Sequence, residues 1–323
     1  MSERITIGVS AKNEERCIGA TLETLLKAVS LAESERIAQF EVVAILDDCT
    51  DNTEEVVRRF PSVGVIRSSG GLIEAQRKIA GRSPFVIFSD ADILIGENVI
   101  AELARTMLSE PTVQVAYPRK RPLPPERRSL MADALYCYNR VEGFQHSRRY
   151  FDGKLFAIRD WNAPTIEELA PRLGVLPRDC FYDFHAGLRV DDIWLSRDVL
   201  RRHGADAIRE VPHAGIHYRP PETFDGMYRM YLRMRREIER LDLMFPETRR
   251  EHQTRGYDRA AERRAPMRDR LLWRVFRVAL GFCRARYAAE RFYFQRIASR
   301  PISAWKPVTE TKTPSSDESA RRM

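Results

Sequence analysis

Apolar residues fall in short runs along the first third of the chain, and each run is followed by a stretch whose apolar positions recur at helical spacing. "RITIGVS" reads as a strand, and "EERCIGATLETLLKAV" reads as the next helix, with Ile18, Leu22, Leu25, Leu26 and Val29 on one face. "FEVVAIL" then leads into "DDCTDNTEEVVRRF", where Asp51 and Glu54 have the spacing of a capping box at a helix start. "SVGVIRS" precedes "GGLIEAQRKIAGR", and "PFVIFS" passes through the acidic turn "DAD" to "NVIAELARTML". Four consecutive β–α units predict an α/β fold with a mostly parallel, doubly wound sheet flanked by helices. Ligands of such sheets gather beyond the carboxyl ends of the strands. The polar clusters "SAKNEE", "DDCTDNT" and "SDAD" all follow strands at that edge.

The pattern loosens after "TVQVAYP". "RKRPLPPERR" is too rich in proline and charge for a core element and predicts a loop, with a helix over "SLMADALYCYNRVEGF" behind it. "GKLFAIR" predicts a strand, "DDIWLSRDVLRRHG" a helix ending at Gly204, and "GIHYRP" a short strand. Two long Arg-rich helical patterns follow Pro221, and "VTETKTPSSDESARRM" has the composition of a disordered tail. The expected division is a main domain over residues 1–221, a helical extension over 222–305 and a tail over 306–323.

Charge separates these parts. The 323 residues carry a formal net charge of +8, yet residues 226–300 alone hold 20 Arg and no Lys against 9 acidic residues, so the rest of the chain is mildly acidic. An anionic partner is expected for the extension. Nucleic acid is not favoured, because no reader motif or aromatic-interleaved groove accompanies the arginines. "LLWRVFRVALGFCRARY" instead sets Leu272, Val275, Phe276, Ala279 and Phe282 along one face with Arg274, Arg277 and Arg284 beside it. That pattern suits a helix lying on an anionic membrane surface, and equally one packed on the main domain. Five scattered cysteines without a C-x-x-C pair argue against a disulfide framework or a zinc site. With no signal-like N-terminus and no apolar run of membrane-spanning length, the expectation is a cytoplasmic protein, with a peripheral position at the inner membrane face as its extension.

The chemistry concentrates in "FVIFSDADIL". Alternate carboxylates on an extended segment project to the same side, so Asp90 and Asp92 can address one ligand, and two hard oxygen donors suit Mn2+ or Mg2+. Solvated turn aspartates are the plainer reading of this motif taken alone. With "ITIGVSAKNEE", "VVAILDDCTDNT", the Ala75-x-Arg77 of "GGLIEAQRKIAG" and, more loosely, "RVDDIWLSRDVLRRHG", the chain resembles the family 2 glycosyltransferases of the Rossmann-like GT-A fold. These enzymes transfer a sugar from a nucleotide-activated donor with inversion. The likeness is good over roughly residues 1 to 110, weaker over 150 to 220 and absent in the Arg-rich helices.

The resemblance implies a donor half over about residues 1–118 and an acceptor half over about 119–221. In the first, Ser10, Lys12, Asn13 and Glu14 border the nucleotide, and Asp47 accepts from the base, which leans the expectation to uridine because uracil offers an N–H. Arg77 turns towards the donor, Asp90 and Asp92 hold the metal, and His217 is a candidate third ligand, ahead of His213. In the second, the pair Asp191 and Asp192 supplies the base that deprotonates the acceptor hydroxyl, with Asp192 preferred and helix capping as the role of the other. Turn chemistry is the plainer role of Asp47 and Asp48, a solvated helix position that of Arg77, and a packed histidine that of His217. The implied partners are a nucleotide-sugar donor and an acceptor glycan or lipid-linked sugar.

The chain departs from the family pattern in places. Lys12 stands where the family usually has tyrosine, and the loop "DDCTDNT" is one residue short, which leaves the register of Asp48 and Asp51 open. "YLRMRREIERL" offers the arginines of a processive synthase motif without its tryptophan, so a single-transfer enzyme is expected. A nucleotidyltransferase or dehydrogenase would need a glycine-rich turn where "VSAKNEE" stands. The remaining alternative is a non-catalytic nucleotide-sugar-binding or membrane-docked scaffold of the same fold.

Overall fold

The computed structural model describes residues 3–141, 144, 150–177, 181, 187–251, 258–298 and 311–312. Its strands are β1 (Arg4–Ala11), β2 (Gln39–Asp47), β3 (Val63–Ser68), β4 (Val86–Asp90), β5 (Leu94–Ile95), β6 (Val115–Pro122), β7 (Leu155–Ile158) and β8 (Ile208–Tyr218). Its helices are α1 (Ile18–Ser34), α2 (Thr53–Val57), α3 (Leu72–Arg77), α4 (Val99–Ser109), α5 (Leu130–Arg140), α6 (Ile166–Leu169), α7 (Asp191–His203), α8 (Phe224–Met244), α9 (Arg259–Arg264) and α10 (Met267–Arg296). All strands join one sheet in the order β3-β2-β1-β4-β7-β6-β8-β5.

The first four strands pair in parallel, as the β–α alternation requires. Beyond them the sheet is mixed, because β7 runs antiparallel to both β4 and β6, and β5 runs antiparallel to β8. Strand side chains alternate between two cores. Ile5, Ile7, Phe85 and Ile87 face α1 and α4, while Val43, Ile45, Val86 and Phe88 face α3 and α7.

Several local expectations are corrected. Residues 119–122, read as loop, continue β6, because the parallel pairing with β8 supplies the backbone partners and the charges find ions: Arg119 bonds Glu210, and Lys120 bonds Asp152. β8 begins seven residues earlier than its apolar stretch suggests, at Ile208. Asp51 does not form a capping box with Glu54. Its carboxylate instead accepts from the Thr53 N–H and hydroxyl and from the Glu15 N–H, while Glu54 pairs with Arg58 and Arg67. A true capping box forms at Thr165 and Glu168 before α6. α7 ends at Gly204, φ 81°, as its sequence predicts.

The Arg-rich extension folds back on the main domain. Trp273, Phe276, Ala279, Cys283 and Tyr287 of α10 are buried in a cluster with Leu135 of α5 and Tyr228 of α8, and Tyr138 stacks on Phe276 at 3.9 Å between ring centroids. Packing therefore claims Phe276 and Ala279, the centre of the face that also suited a membrane, whereas Phe282 stays 64% exposed. Arg197 of α7, fully buried, pairs with Asp242 of α8 at 2.9 Å and fastens the extension to the sheet layer. No helix among the described residues is long and apolar enough to cross a membrane. The expected tail 306–323 lies outside the described residues apart from 311–312.

Candidate active site

The carboxyl ends of β1, β2 and β3 carry a polar shelf. Asp47, buried at the end of β2, accepts from the Gly71 N–H at 3.0 Å and pairs with Lys12 at 3.0 Å. Each carboxylate oxygen keeps a second lone pair after these contacts. Around it the side-chain oxygens Ser10 Oγ, Glu14 Oε2 and Ser68 Oγ are buried without a hydrogen-bond partner among the described residues. Native interiors rarely leave such groups unpaired unless a ligand or water completes them. Asn13 and Asp51 tie the loops that carry the shelf. Asn13, at φ 56°, takes the Thr50 N–H on its side-chain oxygen at 2.7 Å, while the Glu14 N–H donates to Thr53 at 2.8 Å. These bonds lock the loop after β1 to the loop after β2.

The acidic pair stands beside this shelf. Asp90 ends β4, and its N–H donates to the Lys154 carbonyl at 2.8 Å, so the antiparallel entry of β7 sets Lys154 next to the pair. The Lys154 ammonium lies 2.9 Å from Asp92 Oδ1 and 3.4 Å from Asp90 Oδ2. Burial pushes Asp90 up to about 7, with Lys154 opposing and the Asp92 charge adding to the rise. Burial would depress Lys154, but Asp92 and Asp90 outweigh it and hold the ammonium charged above its usual range. Burial also raises Glu14, which is close enough to feel Asp92 and is opposed by its ion pair with Lys312.

Asp191 and Asp192 open α7 and have different surroundings. Asp191 is buried, accepts from Gln76 Nε2 at 2.5 Å, and is pushed up to about 8 by burial and then by the Asp192 charge. Gln76 is itself oriented by Trp161, whose ring N–H donates to Gln76 Oε1 at 3.0 Å. Asp192 is half-buried, and one of its oxygens accepts from the Ile193 N–H at 2.8 Å. It packs so closely on the backbone before Lys154 that a Cβ on Gly153 would stand 2.9 Å from the Asp192 Cβ, so a glycine is needed there. Arg233 of α8 is depressed by burial, a depression opposed by the charges of Asp90, Asp192 and Asp92.

Two other predicted residues sit elsewhere. Arg77 is engaged by Glu74 at 3.2 Å, by the Ala163 and Pro164 carbonyls at 3.1 and 3.0 Å, and by the Trp161 ring at 5.1 Å, so it braces the segment that orients Gln76. His217 pairs across the sheet with Leu94 and Arg121, and burial and the Arg121 charge lower its pKa. Among the described residues no three His, Cys, Asp or Glu side chains gather closely enough to hold an ion. His213 is exposed, and its carbonyl accepts from Asn98. Lys154, Gln76, Ser68 and Arg233 escape the sequence reading. Only Ser68 had a signal, as the last residue of an apolar run at the ligand edge.

The model of glycosyl transferase family 2 matches residues 6–174. A mannosyltransferase from Pyrobaculum calidifontis, solved with GDP-Man and Mn2+, is 19% identical over 90% of this chain and 79% of its own, with a TM-score of 0.49. Glucosyl-3-phosphoglycerate synthase from Mycobacterium tuberculosis, solved with Mn2+, UDP-Glc and phosphoglyceric acid, is 18% identical over 75% of this chain and 79% of its own, with a TM-score of 0.45. No curated protein sequence matches the chain. The family match spans more than half of the chain, including the polar shelf and the acidic pair, and the chain belongs to glycosyl transferase family 2.

Proposed function

We propose that the chain transfers one sugar at a time from a nucleotide-sugar donor, with UDP-sugars favoured, to an acceptor hydroxyl with inversion. The observation that carries this reading is the pairing of Asp90 and Asp92 at the strand edge beside three buried oxygens that lack partners among the described residues. The residues present fit a divalent cation. Asp90 and Asp92 offer hard oxygens from alternate positions of one short segment, and a bound diphosphate would add further oxygens. Asp90 and Asp92 would hold Mn2+ or Mg2+, which when bound supplies Lewis-acid stabilisation of the departing nucleoside diphosphate. Asp47, Ser10, Ser68 and Glu14 bind the nucleoside, and Asp47 suits the uracil N–H through its remaining lone pairs. Asp192 takes the acceptor proton. Its half-buried position supports that assignment, while Asp191 is buried and held by Gln76.

A thermal-shift panel tests the donor assignment. UDP-sugars raise the melting temperature in the presence of Mn2+, since a ligand that binds only the folded state stabilises by mass action. Equal curves for UDP-, GDP- and dTDP-sugars with and without Mn2+ would indicate that no donor site exists.

A lipid-linked acceptor and an anionic membrane surface complete the reading. The outer side of α10 keeps Leu271, Val278 and Phe282 exposed alongside Arg274, Arg277 and Arg284, an apolar and basic face that packing has left on the surface. The protein sediments with anionic but not neutral vesicles at low salt, and replacing the three arginines by Gln releases it. Unchanged sedimentation of that variant removes the membrane from the account and leaves a soluble acceptor.

A further inference from the structure

We infer that Lys154 is a binding residue of the donor site, a fixed cation that competes with the divalent ion for Asp90 and Asp92 and then holds the diphosphate of the bound nucleotide. The inference rests on the donor-site reading above and adds a residue that the family motifs do not mark.

The placement is built into the fold. β7 enters antiparallel to β4, and the Lys154 carbonyl accepts the Asp90 N–H at 2.8 Å, which fixes the lysine backbone beside the pair. Its own N–H donates to Asp152 at 3.1 Å, and its side chain, only 23% exposed, spans both acidic residues. Lys120 and Lys154 also approach the Tyr218 ring, at 5.2 and 5.9 Å. A surface lysine would gain little from one such contact, whereas a sheltered ammonium bonded to two carboxylates is held in place.

Charge counting shows why this matters. Asp90, Asp92 and Asp152 face Lys120 and Lys154, so the cluster carries one net negative charge. A nucleoside diphosphate would be repelled by it. Once a divalent cation is added, the same cluster carries one positive charge, and Lys154 supplies the excess. Two cations on the same carboxylate oxygens repel each other, so the ammonium must give ground when the ion enters. The diphosphate of a nucleotide bound there would be an anion able to take its freed N–H donors. Lys154 therefore weakens binding of the ion alone and strengthens binding of the nucleotide to the loaded site.

These opposite effects make the test specific. Free Mn2+ is counted by electron paramagnetic resonance without nucleotide, and UDP binding is measured by calorimetry at saturating Mn2+. In Lys154→Met, removal of one charge in contact with the ligands tightens Mn2+ about tenfold and weakens UDP by about tenfold or more. Lys154→Arg, which keeps the charge, stays on the wild-type side of both changes. A second measurement uses the wild-type protein. Mass spectrometry of acetylated protein shows Lys154 protected without metal, more reactive with Mn2+, and protected again when UDP is added to the Mn2+ form. Affinities that stay the same or fall together in Lys154→Met, or acetylation of Lys154 indifferent to Mn2+, overturn the inference. Wild-type protein that binds no UDP with Mn2+ overturns the donor-site reading and this inference together. Normal wild-type UDP binding with an indifferent Lys154 overturns this inference alone.

Discussion

Replacing Asp192 by Asn leaves nucleotide-sugar binding unchanged and slows transfer by at least about 100-fold, the usual scale for loss of a general base. Asn keeps the size of the side chain and an oxygen able to accept the Ile193 N–H, so the start of α7 is preserved and only the proton acceptor is lost. The two acidic residues at this helix start separate cleanly in the structure. Asp191 is enclosed, bonded to Gln76 and pushed up to about 8 by burial, whereas Asp192 lies against Gly153 beside the acidic pair. Single-turnover transfer, measured next to donor affinity by calorimetry, distinguishes binding from chemistry. If Asp191→Asn loses transfer at unchanged donor affinity and Asp192→Asn does not, the base is Asp191.

Asp92→Asn is the second large effect. It removes a ligand charge without changing side-chain volume, so Mn2+-dependent donor binding disappears while the chain stays folded. Lys154 keeps its contact with Asp90, which spares the variant an unpaired buried ammonium. Circular dichroism checks the fold, and calorimetry of a UDP-sugar with Mn2+ checks the function. Wild-type affinity for the donor in that titration removes Asp92 from the metal site.

What the sequence shows and hides follows the range of the interactions. The β–α units from β1 to α4 are legible because helical and strand periodicities are local, and "SDAD" is legible because two aspartates closing an apolar run are chemically conspicuous. Lys154 stands 64 residues after Asp90 and meets it only because β7 inserts antiparallel beside β4, a pairing that no local pattern announces. Gln76 and Arg77 are adjacent, and the charged residue attracts the functional reading, yet the buried amide reaches Asp191 while the arginine braces carbonyls. β5 has two residues, too few for any period, and it exists because β8 offers it partners. α10 carries apolar residues around more than one face, so periodicity alone does not say which face the domain takes. Phe276 goes inward to Tyr138, and Phe282 stays outside.

The central claim is that Asp90 and Asp92 form a metal-dependent donor site that splits a nucleotide sugar. Release of nucleoside diphosphate from UDP-, GDP- and dTDP-sugars, followed with Mn2+ and again with excess chelator, tests it most directly. The account predicts release from one class of donor, UDP-sugars first, that stops with chelator and is restored by Mn2+ or Mg2+. Release that is indifferent to chelator, or no release from any donor in the presence of Mn2+, contradicts it.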